Sequence, residues 1–294
     1  MGLGVTGLLP NFAGLIFTTL ISSFGFHYYE TTKKSLTLQH FDPRTAPWVF
    51  GKQYSVSAAS NIFIGLFIYV VTFKLSYSQV YVIIGGFVCV IALWGIYQNP
   101  VVSTPIPQRK KMIFRKKYWL YYFLTFMSGA RRQIFMAFAA FLMVKKFEFS
   151  IQEIALLFVL NNIIGYFLAP LIGKSIIRFG ERKVLSFEYA GLIIIFLAYA
   201  VVQTKLIAAS LYILDHVFFN FAIGISTYFQ KIGDPKDTAS TMAVGFTINH
   251  IAAVFLPALG GFLWMLDYRI PFIAGACMAL VSLLAVQKIR TAVP

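Results

Sequence analysis

An all-α bundle embedded in a membrane follows from three properties of this chain. Its residues are 59% hydrophobic with a mean hydropathy of +0.76. Only 12% are charged, against roughly 25% in ordinary soluble domains. The apolar residues are gathered into runs long enough to cross a ~30 Å hydrocarbon layer as helices, and none shows the alternation of a membrane β-strand. Unpaired backbone groups are costly in hydrocarbon, so non-alternating runs of that length must be helical. The 31 Phe, 16 Tyr and 4 Trp suit lipid-facing surfaces and interfacial belts.

Nine runs have spanning length, at residues 8–29, 54–73, 77–98, 119–144, 151–172, 184–202, 207–228, 238–264 and 270–286. The first has no basic segment before it and continues past Phe26 into aromatic and charged residues, so it reads as a span rather than a signal peptide. It carries His27, best explained by packing; the second carries Ser55, Ser57, Ser60 and Asn61, and the third is nearly free of polar side chains. The fourth holds Arg131, Arg132 and Gln133 near its middle, and the fifth holds Asn161 and Asn162 and closes at Pro170 and Gly173. Glu188 in the sixth lies near its cytoplasmic end. The seventh has Asp215, His216 and Asn220; the eighth has Asn249 and His250 and is interrupted by Pro257, Gly260 and Gly261. The ninth has essentially no polar groups.

Charge placement orients these spans. Eighteen Lys and Arg fall in the connections after spans one, three, five, seven and nine; five fall in the alternate connections. That alternation predicts an outside N-terminus and a cytoplasmic C-terminus. A net charge of +15 therefore marks membrane topology. With no continuous basic face, it excludes a nucleic-acid partner. The basic stretch from Arg109 to Lys117 reads as a topology determinant in contact with anionic lipid. Cys89 and Cys277 lie inside apolar runs without metal-ligand or disulfide spacing, and no cofactor or metal is expected.

The connection at residues 99–118, punctuated by Pro100, Pro105 and Pro107, divides the chain into three spans (1–98) and six (119–294). Many transporters repeat six spans twice. The simplest expectation is thus a six-plus-six protein whose first three spans are absent; a complete nine-span protein is the alternative. Polar residues mark spans one, two, four and five of the six-span half as cavity-lining, with three and six facing lipid.

The deep polar residues are the candidate site. A charge at mid-span costs about 3 kcal/mol on insertion scales, so such residues face a bundle interior or wet cavity. Arg131 and Arg132 point about 100° apart on a helix. One of them binds an anionic group of a solute, or else forms a structural ion pair with Asp215 or clamps carbonyls; a planar guanidinium suits each role. Asp215 beside His216 is the candidate for proton coupling, with a structural Arg–Asp pair as the alternative. Asn249 and His250 are either ligand contacts or interhelical hydrogen bonds. Asn161 and Asn162 suit helix–helix adhesion, and Gln133 and Asn220 complete the candidate lining. Asp237, preceding Thr238, has the position of a helix N-cap.

The tract GKSIIRFGERK, residues 173–183, resembles the cytoplasmic loop motif of the major facilitator superfamily between its eighth and ninth helices. Gly173, Arg178, Gly180, Arg182 and Lys183 match it; Ile177 replaces the usual acidic residue and Glu181 interrupts the basic pair. The tracts SGARRQIF, LYILDHVFFN, TYFQKIGDPKD and FTINHIAAV resemble a bacterial branch of the same superfamily. The resemblance implies a major-facilitator-like bundle beginning at the family's fourth helix. Helices seven, eight, ten and eleven would then line the C-half cavity.

Three functions follow for comparison. A secondary transporter of a small polar solute, with an anion favoured by the two Arg, fits the polar map. No phosphate-cradling motif is present, so an ion or solute gradient, a proton symport for example, would supply the energy at a bacterial inner membrane. A membrane transferase using His216 or His250 as base fits less well, because those groups lie deep in the spans. A truncated, non-transporting product is the third.

Overall fold

The structure, a computed structural model, describes residues 2–9, 11–71, 73–98, 106–112 and 114–290, without the side chain of Leu3. Pro100 and Pro105 of the expected linker lie outside the described residues. The described residues form helices α1 (Gly2–Leu8), α2 (Phe12–His40), α3 (Ala46–Val71), α4 (Tyr77–Tyr97), α5 (Trp119–Gln133), α6 (Ala140–Phe147), α7 (Ile151–Phe179), α8 (Glu181–Val201), α9 (Lys205–Phe219), α10 (Ile223–Ile232), α11 (Thr238–Leu266) and α12 (Arg269–Val286). A π-helical turn, Ile134–Ala139, joins α5 to α6, and a 3-10 turn, Asn220–Ala222, joins α9 to α10.

Among the described residues, seven helical segments are long and apolar enough to cross a membrane. The expected spans beyond those seven are the first and fourth. The first lies in α2, where Thr, Ser and His27 dilute the apolar run. The fourth is broken by the π-helical turn directly after Arg131, Arg132 and Gln133.

The chain divides into two compact units. The first comprises residues 1–33 and 60–107. Within it, α1 packs on α4 where Gly4 meets Gly85 and Gly7 meets Ser78. Ser76 opens α4 with a reciprocal capping box to Gln79, satisfying backbone donors that a helix start otherwise leaves unpaired.

The second unit comprises residues 34–59 and 108–294. Local signals set its helix limits. Ser150 and Glu153 form a capping box at the start of α7, and Thr204 caps α9 through the Ile207 amide. Glu148, at φ 51°, ends α6, and Gly180, at φ 79°, separates α7 from α8. Pro170 therefore lies inside α7, whose ladder runs on to Phe179, rather than closing the span. Within the motif tract, Gly180 alone breaks the helix.

The α2–α3 connection also departs from the hydropathy boundaries. Helix α2 continues to His40, where the Glu30–Lys33 pair lies one turn apart. Asp42 then accepts hydrogen bonds from the Arg44 and Thr45 amides and the Thr45 hydroxyl, and α3 begins at Ala46. The Thr45 hydroxyl, then the Arg44 amide, holds the Asp42 carboxyl below its ordinary value.

Helix α3 approaches α7 at glycines. A Cβ on Gly51 would collide with the Ala169 carbonyl, and one on Gly173 with the Pro47 carbonyl. The Ser55 hydroxyl donates to the Tyr166 carbonyl at 2.6 Å. On α10, the Gln230 amide donates to the Leu38 and Phe41 carbonyls at 2.9 and 2.7 Å. Asp237 does not cap α11 as expected. Its fully buried carboxylate instead meets Arg115 at 2.6 Å, Arg109 at 3.3 Å and the Tyr118 hydroxyl at 3.0 Å, while Asp234 caps the turn before it. Part of the basic stretch is thus tied to this loop; Lys110, Lys111, Lys116 and Lys117 remain exposed.

Gly51→Val and Gly173→Val should each force α3 away from α7. Overpacking costs about 1–3 kcal/mol, and a chain of this size loses roughly 2–4 °C of Tm per kcal/mol. Melting the purified variants in detergent checks this; unchanged Tm for both would contradict the close approach.

Candidate functional site

The second unit buries three charged side chains around one point. Arg131 on α5, Glu188 on α8 and Asp215 on α9 are 3%, 2% and 4% exposed. They line a small cavity with Arg132, Ser128 and Phe219. Its volume is about 20 Å³, room for about one water molecule.

Arg131 reaches Glu188 through Nη2–Oε1 at 3.5 Å, longer than the ~2.7–2.9 Å of a strong charge-assisted hydrogen bond. Its guanidinium carbon lies 4.3 Å from the Tyr189 ring centroid, so a cation–π contact supplements the long ion pair. Unused bonding capacity remains on every member. Arg131 Nε and Nη1, Glu188 Oε2 and Asp215 Oδ2 are buried without hydrogen-bond partners among the described residues.

The backbone is irregular at the same place. The π-helical turn starts directly after Gln133, and the 3-10 turn starts five residues beyond Asp215. A π-turn offsets the residues on either side relative to a regular helix and recurs at functional sites. Here it separates the charged end of α5 from the apolar Ile134–Ala139 segment, whose Phe135 and Phe138 are buried.

A second polar group adjoins α9. His216 points away from its neighbour Asp215, as the 100° helical step requires. Its Nε2 lies 3.0 Å from the Tyr54 hydroxyl of α3. Asn220 and Arg132 lie close enough to influence the same phenol, and the Arg132 guanidinium sits 5.1 Å from the Phe219 ring centroid.

The structure thus brings Arg131, Arg132 and Asp215 to one cavity, and His216 and Asn220 to a neighbouring layer. The remaining candidates lie elsewhere. Asn161 and Asn162 are buried on α7, the latter donating to its own helix at the Phe158 carbonyl. Asn249 packs on Gly129, where a Cβ would fall 2.8 Å from its amide nitrogen. His250 bonds back to the Phe246 carbonyl at 2.9 Å and stacks on that ring. Gln133 is half-buried beyond the cavity lining. Of the loop-motif residues, Gly173 meets α3, Gly180 makes the turn, Arg182 donates to Gln287 at 3.1 Å, and Arg178 and Lys183 are exposed.

Two partners escaped the sequence reading. Hydropathy puts Glu188 near the end of a lipid-facing span, yet it is buried and pairs with Arg131 in place of the expected Asp215. Its helical neighbours, Val184, Leu185, Gly191 and Leu192, hold no counter-ion, which signals a partner on another helix. Helix α8 accordingly buries a stripe including Leu185, Glu188, Tyr189, Leu192, Phe196 and Tyr199, and only its other face is open to lipid. Tyr54 carried no comparable signal in its Ser-rich segment.

Arg131→Ala should destabilise the protein by about 3–5 kcal/mol, since it strands buried carboxyls, and Glu188→Ala, which leaves Asp215 beside Arg131, should destabilise it by less. The double substitution should cost less than the sum. Denaturation of the four-protein cycle in detergent measures this, and strict additivity would show that the two charges do not interact.

Residues 121–293 match the sequence model of the Major Facilitator Superfamily. The fold is similar to the crystal structure of a bacterial homologue of the iron transporter ferroportin in an outward-facing state, with a TM-score of 0.71 and 14% identity. The match covers 94% of this chain and 72% of the other. No curated protein matches the sequence.

Proposed function

The chain belongs to the Major Facilitator Superfamily, a family of membrane transporters rather than enzymes, and from that premise we propose secondary active transport of a small polar solute by alternating access. The carrying observation is the enclosed cluster of Arg131, Glu188 and Asp215 inside the six-helix half. Buried charge at such depth is costly and is ordinarily kept for solute or ion passage.

The solute site under this reading centres on Arg132 and draws on Gln133, Asn220 and the amides and imidazole of Asn161, Asn162, Asn249 and His250. A planar, permanently charged fork at Arg132 favours an anionic group. Asp215 and His216 supply the coupling proton, with Arg131 setting the field around them. The present cavity holds about one water, whereas pockets for small molecules are on the order of 300–1,000 Å³. The solute must therefore enter a more open arrangement of the same helices, as alternating access requires. The basic connections support a cytoplasmic C-terminus and an outside N-terminus. The residues before 98 then belong to the N-terminal half and those after 119 to the C-terminal half.

Small polar solutes that bind should raise the Tm of the purified protein, by about 2.7 kcal/mol of stability at a hundredfold excess over Kd. Uptake of those solutes into proteoliposomes should then exceed that of protein-free vesicles. Arg131→Ala and Asp215→Asn should each abolish it while inserting normally, and Arg131→Lys should impair it. Normal uptake by both of the first two variants would remove these residues from the site; a solute that binds without ever crossing would remove the transport reading. A C-terminal fluorescent reporter that matures only in the cytoplasm should light up, and a dark reporter on an inserted protein would reverse the orientation.

A further inference from the structure

Helices α3 and α7 pack antiparallel, with Pro47 against Gly173, Gly51 against Ala169 and Ser55 against Tyr166. The residue that follows each contact residue is turned about 100° around its helix. In two antiparallel right-handed helices those turns lead to the same flank of the seam. Trp48, Lys52 and Val56 follow the contact residues on α3, and Phe167 and Lys174 follow those on α7. All five are exposed, and the glycine contacts bring the two sets as close as backbones allow.

The flank has a graded chemistry along its length. Lys174 and Trp48 stand at its outer end, level with the Pro47–Gly173 contact. Lys52 emerges one turn deeper on α3, and its ammonium turns back to 5.6 Å from the Trp48 ring centroid, as a lysine stem does when it crosses apolar surface to reach water. Leu171, Phe167 and Val56 continue inward, each more than half exposed. Both helices are long and apolar enough to cross a membrane, so this inward run faces hydrocarbon. An exposed indole at the change from basic to apolar surface has the position of an interfacial anchor.

The two lysines lack protein counter-ions. Helix α3 contains no Asp or Glu, and α7 contains only Glu153, at its opposite end and paired with Lys205. Among the described residues neither Lys52 nor Lys174 joins an ion pair, whereas Arg109, Arg115 and Lys231 are held by Asp237 and Glu181. Two ammonium groups over an exposed apolar run complement a ligand with a phosphate at one end and acyl chains at the other. A soluble anion would use the lysines and leave the run below them bare. The charge bias also assigns this end of the bundle to the cytoplasm, whose leaflet carries the negative surface potential.

We propose that this flank of the α3–α7 seam binds an anionic phospholipid. Its phosphate lies between Lys52 and Lys174, the Trp48 indole sits where headgroup meets chain, and an acyl chain runs along Leu171, Phe167 and Val56. The lipid thereby bridges two helices whose direct contacts are a neutral hydrogen bond and glycine packing. The site stands apart from the Arg131 cluster and does not depend on the transport reading.

Native mass spectrometry of the full chain in detergent, titrated with phosphatidylglycerol or with phosphatidylcholine of the same chains, measures the affinity of the first lipid bound. Two lysines near a phosphate should favour phosphatidylglycerol by roughly twentyfold. Lys52→Gln and Lys174→Gln should each weaken it about fivefold and leave phosphatidylcholine unchanged; both side chains are exposed, so packing survives their replacement. Lys288→Gln, which removes an exposed charge on another helix at the same end, should have no effect. Glycerol 3-phosphate, the headgroup chemistry without chains, should not displace the lipid. Equal affinity for the two lipids, an equal loss in Lys288→Gln, or displacement by glycerol 3-phosphate would each overturn the proposal, the last by assigning the lysines to a soluble anion. Because binding and not uptake is read, the result is separate from that of any transport assay.

Discussion

A buried guanidinium charge is the constraint around which the second unit is built. A buried carboxylate or amine can neutralise itself by shifting its protonation; a guanidinium does not. Its charge must therefore be met by geometry. No single helix can do so, since the residues one turn away from Arg131 on α5 and in the π-turn, Met127, Ser128, Ile134 and Phe135, carry no charge. The counter-charges come from α8 and α9 instead, and the Tyr189 ring covers one face. Three helices distant in sequence are thereby held around one point. The buried stripe of α8 follows from this demand, because Glu188 can face inward only if Leu185, Leu192, Phe196 and Tyr199 on the same face do as well.

The two adjacent polar pairs obey one geometric rule with two results. On α5 and on α9, successive residues diverge by about 100°, so neither Arg131 and Arg132 nor Asp215 and His216 can share a contact. The first member of each pair enters the buried triad. Of the second members, Arg132 lies over Phe219 on the wall of the same cavity, and His216 turns away to meet Tyr54 from α3. One helical step on α9 thus separates a charge-balancing core from a contact to α3 within the second unit.

Apolar run length was legible because hydrocarbon thickness sets it directly, and the deep charges stood out against those runs. Helix ends were less legible for the same reason. Hydropathy marks where lipid ends, whereas the hydrogen-bonded ladder stops only at a cap or a steric break. Helix α2 therefore passes Tyr29 and runs on to His40, and α7 passes Pro170 and stops at Gly180. Asp237 shows the limit of local reasoning. Its position suits a cap, but Arg109 and Arg115, distant in sequence, outcompete one backbone amide for a buried carboxylate, as charge-assisted contacts should. Glu188 was misplaced by its apparent depth, although its lack of any charge one turn away already required a partner on another helix.

The contact energies also distinguish two kinds of seam within the second unit. Separating Arg131 from its carboxylates strands buried charge at a cost of about 3–5 kcal/mol. The seam between α3 and helices α7 and α9 is of another kind. It includes the Ser55 hydroxyl on the Tyr166 carbonyl, the Tyr54 hydroxyl on His216, and backbone packing at Gly51 and Gly173. Neutral hydrogen bonds of this sort contribute about 1 kcal/mol each when exchanged for water, and glycine surfaces can slide without rotamer rearrangement.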